Sequence, residues 1–180
     1  MKKLLLLVLV LSFSSLAFAG PITYTIDFEQ YSAYTQITNQ YAAQNATFTN
    51  ALQLVEPFYD YFDYPPHSGS GVITNDPSDP VTVTFTVPMY NVSFWYAAPD
   101  GIVVTGSNGA VINGAGVDGT NAQIVVPGAV TWITISANDG ADYETVDDLT
   151  YTVVPEPGSF LLVGTGLLGL AASLRRKLGC

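Results

Sequence analysis

Residues 81–87 read Val-Thr-Val-Thr-Phe-Thr-Val (VTVTFTV). Apolar and hydroxyl side chains alternate strictly. On a β-strand successive side chains point to opposite faces, so a period of two puts Val81, Val83, Phe85 and Val87 toward a core and the threonines away from it. The same reading extends outward. ITYTIDF at 22–28 alternates at Ile22, Tyr24, Ile26 and Phe28. ATFTNALQLV at 46–55, NVSFWYA at 91–97, GIVVTG at 101–106, QIVVPG at 123–128, VTWITISA at 130–137 and LTYTVV at 149–154 are further β-branched and aromatic runs. Gly, Pro, Asn or Asp bounds each of them. That makes about eight to ten strands with no internal repeat and no helical period away from the two ends. The expected fold is all-β, an antiparallel β-sandwich of jelly-roll type. Trp95 and Trp132 fall inside strand patterns and are expected in the core.

The charges are segregated. The five basic residues are Lys2, Lys3, Arg175, Arg176 and Lys177, and all fifteen acids lie between Asp27 and Glu156. The body therefore has no Lys or Arg, and His67 is its one histidine. Such a body repels nucleic acid and gains nothing from anionic lipid. Self-repulsion keeps it in solution, and divalent cations are attracted to it.

Residues 1–19 begin with Lys2 and Lys3, continue through an apolar run from Leu4 to Phe13, and end in Ala17-Phe18-Ala19. This is the pattern of a secretory signal peptide cleaved after Ala19. Export implies an oxidising compartment, yet the only cysteine is Cys180. The body at 20–153 is expected to hold together by its core, without disulfides.

The other end reads VVPEPGSFLLVGTGLLGLAASLRRKLGC over 153–180. Phe160 to Leu174 is an uncharged stretch of fifteen residues. As a helix it is about 22 Å long, against a hydrocarbon core of about 30 Å. With 158 and 159 added and Arg175 snorkelling, it reaches the lower limit for a transmembrane helix at 158–174. Arg175, Arg176 and Lys177 then lie on the cytoplasmic side. Val154-Pro155-Glu156-Pro157, a short glycine-containing apolar helix and Arg175-Arg176, in that order, resemble the PEP-CTERM sorting signal of Gram-negative bacteria. The resemblance covers 154–180, with the motif at 154–157 and the basic tail at 175–180. It implies that a membrane-embedded cysteine transpeptidase, exosortase, cuts near the motif and releases or transfers the body. It also implies a life at the outer side of the inner membrane before processing and at the cell surface or in the matrix afterwards, in cells that make exopolysaccharide and biofilm. In this role Val154, Pro155, Glu156, Pro157, Arg175 and Arg176 are substrate residues. An ordinary C-terminal anchor that is never processed is the other reading of the same tail.

Two clusters in the body bear on chemistry. Asp27 and Glu29 sit at the first strand, and Asp142 and Asp148 flank the start of the last. First and last strands are commonly neighbours in a jelly roll, so these oxygens can converge, and calcium takes six to eight of them. The body is similar to small carbohydrate-binding-module-like sandwiches, and that similarity implies a structural calcium near the termini. A solvated acidic turn is the alternative. Asp147, Leu149 and Tyr151 share one face by strict alternation, which sets an acid beside two core residues. The second cluster is Phe58, Tyr59, Tyr61, Phe62 and Tyr64, in a connection edged by Pro57 and Pro65-Pro66. Rings beside carboxylates suit sugar binding, with Tyr59, Tyr61 and Tyr64 as the platform. Rings packed back on the sandwich are the alternative.

Catalysis finds little support. His67 stands in a proline-flanked loop with no nucleophile-elbow sequence, and a zinc site lacks ligands. The expectation is a non-enzymatic exported surface or matrix protein, processed by exosortase and associated with exopolysaccharide. Alternatives are a carbohydrate-binding module using the aromatic loop, and a simple anchored surface domain.

Overall fold

The computed structural model describes residues 20–60, 62–75, 79–138 and 144–154, together with Gly164, Gly166 and Gly169. The expected signal peptide lies outside the described residues, as do Tyr61, Asp142, Pro155, Glu156, Pro157, Arg175 and Arg176. Gly164, Gly166 and Gly169 are helical. Among the described residues no helix is long and apolar enough to cross a membrane.

Thr23–Val153 form one unit. Its strands are β1 (Ile22–Ile26), β2 (Gln36–Ile37), β3 (Ala46–Thr49), β4 (Ala51–Val55), β5 (Gly71–Asn75) and β6 (Val81–Ala98). They continue as β7 (Ile102–Gly106), β8 (Val111–Gly114), β9 (Val117–Val126), β10 (Val130–Ala137) and β11 (Thr145–Val153). Every ladder whose register is given runs antiparallel. The first and last strands pair, as expected.

The long strand β6 makes the sandwich. Its first half, the VTVTFTV stretch, lies between β3 and β10. Its second half lies between β11 and β9. One layer is therefore β3-β6-β10-β7-β8, and the other runs β2-β4-β5-β11-β6-β9 with β1 also on β11. Pro88 stands at the changeover, where a missing N–H costs the ladders least. Val81, Val83 and Phe85 are buried as alternation requires. Val87 is 40% exposed, because the strand turns to its new partners there.

The core is continuous between the layers, from Ile26 and Phe28 through Phe94, Ile133 and Tyr151. Phe28, Tyr41 and Phe48 form an edge-to-face trio with centroids 5.8–5.9 Å apart. Such pairs add stability beyond their buried area. The Tyr151 hydroxyl donates to the Gln44 carbonyl at 2.9 Å, so its polar tip is satisfied inside.

Neither tryptophan joins this core. Trp132 lies on the outer face of β10 and is 38% exposed, and Trp95 lies half-buried on the outer face of β6. Their inward neighbours Ile133 and Phe94 take the core positions.

The conflict over Asp147 resolves through a β-bulge. Val146, Leu149 and Tyr151 are all in the core, although an odd step separates the first two. Register shifts between Asp147 and Thr150, and Asp148 adopts φ 48°, in the left-handed region. One extra residue there flips the parity, so Asp147 points outward beside Trp95. The same device recurs on β6. Met89 and Val92 are both buried, and Asn91 between them has φ 51°.

Candidate functional site: a loop strapped to the outer face by carboxylates

The connection between β4 and β5 leaves the sheet at Val55 and returns at Gly71. Its last part lies over the outer face of β11 and β6, where three acids hold it. Asp147 is 1% exposed. Its Oδ2 accepts the backbone N–H groups of His67 at 2.9 Å and Ser68 at 2.8 Å, and its Oδ1 accepts that of Asp148 at 2.7 Å. Asp148 accepts from the Ser68 hydroxyl at 3.0 Å and lies 2.6 Å from His67 Nδ1. The Glu29 Oε1 accepts the N–H groups of Ser70 at 2.9 Å and Gly71 at 2.7 Å, and Oε2 accepts the Ser70 hydroxyl at 3.3 Å. Gly69 has φ 51°, and a Cβ there would strike the Glu29 carboxyl. The His67 ring stacks on Trp95 with centroids 3.9 Å apart and planes 8° from parallel. The one ring of the body able to carry positive charge thus lies against an indole and a carboxylate.

Burial pushes Asp147 up to about 6, partly offset by the Ser68 N–H, while the charge of Asp148 adds to the rise. Burial also raises the Tyr59 hydroxyl above its ordinary range, and the charges of Asp147, Glu56 and Glu29 add to it. That hydroxyl is buried and has no hydrogen-bond partner among the described residues. The aromatic cluster therefore divides. Tyr59 is half-buried near Asp147, Glu56 and Glu29, Tyr64 is half-buried, and Tyr61 lies outside the described residues. The rings presented to solvent are Phe58 and Phe62, 60% and 74% exposed. Tyr34, 60% exposed, joins them from the turn before β2. Its ring meets Phe58 edge-to-face at 6.3 Å, and its hydroxyl donates to the Phe58 carbonyl at 2.9 Å. Asp60, Asp63 and Asp118 lie nearby. Asp63 is raised, first by the charge of Asp60, then by burial and by Asp118.

Of the acids expected to hold calcium, the three described ones make contacts within the protein. Glu29 and Asp148 hold the loop, and Asp27 Oδ1 accepts the Glu29 N–H at 3.3 Å. Asp142 lies outside the described residues. Among the described residues no three His, Cys, Asp or Glu side chains come together to hold a metal ion.

Sequence reading missed Asp147 as the loop's main acceptor and Trp95 as its stacking partner. One signal was available: an acid between core residues Val146 and Leu149 breaks parity, and broken parity in a strand marks a bulge.

Two of the solved structures similar to the chain are sandwich domains. One is the K1 cleaved adhesin domain of Lys-gingipain from Porphyromonas gingivalis, 11% identical, covering 74% of this chain and 98% of that one with a TM-score of 0.43. The other is TmCBM61 in complex with β-1,4-galactotriose, 14% identical, covering 78% and 92% with a TM-score of 0.29. No curated protein sequence matches the chain. Residues 153–177 match the PEP-CTERM protein-sorting motif. The chain thus ends in a PEP-CTERM protein-sorting motif, the mark of a substrate for exosortase.

Proposed function

We propose that the body is a non-enzymatic domain of the cell surface or biofilm matrix, delivered by exosortase processing and held on exopolysaccharide. The observation that carries the polysaccharide part is the exposed ring pair of Tyr34 and Phe58, with exposed Phe62 on the same loop as Phe58, a loop whose end at 67–71 is fixed by Glu29, Asp147 and Asp148. A loop already ordered loses little entropy on binding, and ring faces stack on pyranose faces. Asp60, Asp63 and Asp118 at its edge can accept sugar hydroxyls but offer little apolar area. With no Lys or Arg in the body, nothing offsets the charge of a sulfated or uronic-acid polymer, so the ligand class is neutral. A non-catalytic role agrees with the use made of His67 and Ser68. The Ser68 hydroxyl donates to Asp148, not to His67, so the two do not form a nucleophile and base.

Calorimetry against neutral and acidic oligosaccharides tests this reading. Phe58→Ala and Phe62→Ala are each expected to weaken binding to a neutral ligand about tenfold, at about 1.4 kcal/mol per ring. Unchanged affinity in both, or binding confined to acidic polymers, would overturn it.

A further inference from the structure

The opposite layer carries a surface of different chemistry. Its strands are β3, the first half of β6, β7, β8 and β10, and none contains an Asp, Glu, Lys, Arg or His. In a body with fourteen acids this is the uncharged region. Its outward residues include hydroxyls in register, with exposed Val111 continuing one row on β8. Thr49 pairs with Thr82, Thr82 with Thr134 and Thr134 with Thr105, a row across four strands. The next row is Thr47, Thr84 and Trp132. Strands lie about 4.7–4.9 Å apart and alternate residues roughly 6.6–6.8 Å apart, so the hydroxyls form a lattice around one exposed indole. Thr47 donates to the Thr84 carbonyl at 3.3 Å. The other hydroxyls of the two rows make no hydrogen bond among the described residues, and each can both donate and accept.

We infer that this outer face is a second surface for a neutral polysaccharide, with Trp132 as the stacking ring and the threonine rows meeting sugar hydroxyls. The inference rests on the polysaccharide reading above and adds a site to it. Absence of charge is the complementarity: a neutral polyhydroxyl chain loses nothing here to unpaired ions. A second copy of the chain fits less well, because threonine rows offer little of the apolar area that a stable dimer buries. An ordered crystal such as ice fits less well too, because a sheet twists by roughly 20–25° per strand and loses register with a flat lattice. With the exposed rings on one outer face and the threonine rows on the other, one domain can hold two chains together.

The test is pull-down of the secreted protein on insoluble neutral β-glucan and chitin, with melting curves as controls. T82E combined with T134E places two carboxylates in the row and is expected to weaken retention at least tenfold while leaving the melt within a few degrees. W132A is expected to weaken it roughly tenfold, and it carries the comparison should the double variant fold poorly. F58A combined with F62A is expected to leave retention through the threonine face. If that loop variant loses all retention while W132A and T82E/T134E bind as wild type does, this face is plain solvent surface and only the exposed loop rings bind. If wild type binds neither polymer, both readings fall. Dimers in solution that T82E/T134E dissolves would overturn the inference in favour of self-association.

Discussion

Lowering the pH from about 8.5 to about 5 will stabilise the sandwich by several kcal/mol, and Glu144→Met will remove most of that gain. Glu144 directly precedes β11 and is fully buried. Among the described residues neither of its oxygens has a hydrogen-bond partner. Burial raises its pKa from 4.5 to about 8, opposed by the backbone N–H groups of Glu144 itself and Ala137. In the unfolded chain the group loses its proton near the ordinary carboxyl value, while the folded chain keeps it up to about 8. The contribution to stability is therefore fully present below 4.5 and is lost as pH rises toward 8. A rise of this size corresponds to roughly 4–5 kcal/mol. Asp147, raised from 3.8 to about 6, pulls the same way over a lower window. Relief of repulsion among the other acids does so too. The decisive quantity is thus the difference between wild type and Glu144→Met, read from urea unfolding at several pH values. Methionine removes the charge and keeps the volume, so the variant is expected to be the more stable protein at pH 8.5 and to differ little at pH 4.5. Parallel curves for the two proteins would show that Glu144 is not the group that titrates.

Asp147→Ala will release the loop. The substitution strips the N–H groups of His67, Ser68 and Asp148 of their acceptor in a part-buried setting. A buried donor left unpaired costs about 1–3 kcal/mol. The three together are expected to cost about 2–4 kcal/mol, since water reaches some of them once the loop lifts. For a unit of this length that lowers the melting temperature by about 10 °C. Hydrogen exchange is expected to quicken at 67, 68 and 71 while β6 and β10 stay protected. The same variant is expected to weaken binding at Phe58 and Phe62 without touching either ring. Asp147→Asn retains an acceptor oxygen and is expected to cost less than half as much. An Asp147→Ala protein that melts as wild type does would mean that the loop is held by Glu29 and Asp148 alone.

The strands were legible because their physics is local. VTVTFTV at 81–87 needs no partner to declare a face, and Val81, Val83 and Phe85 are buried as the pattern requires. Alternation fails where the chain changes partners or inserts a residue. Val87 is exposed for the first reason, and Asp147 points outward for the second. The tryptophans were misplaced because size and hydrophobicity do not record which side of a pleat a residue takes. Trp95 is out of step with Phe94 and Tyr96, both core, and that parity was readable in NVSFWYA. The strap was not readable. It joins Glu29, 67–71 and Asp147-Asp148 across long stretches of chain, and only the fold sets those acids under those N–H groups. The tail is the reverse case. Its order of motif, apolar run and basic cluster is legible without any fold, and residues 153–177 match the sorting motif.

The most direct test of delivery by exosortase is the intact mass of the protein recovered outside a host that has the enzyme. The expected result is a chain that begins at Gly20 and lacks the segment from about Gly158 onward, while a variant with Pro155, Glu156 and Pro157 all replaced by alanine stays with the membrane at full C-terminal length. Secreted wild-type protein that still carries 160–180 would contradict the account and leave an ordinary anchored surface domain.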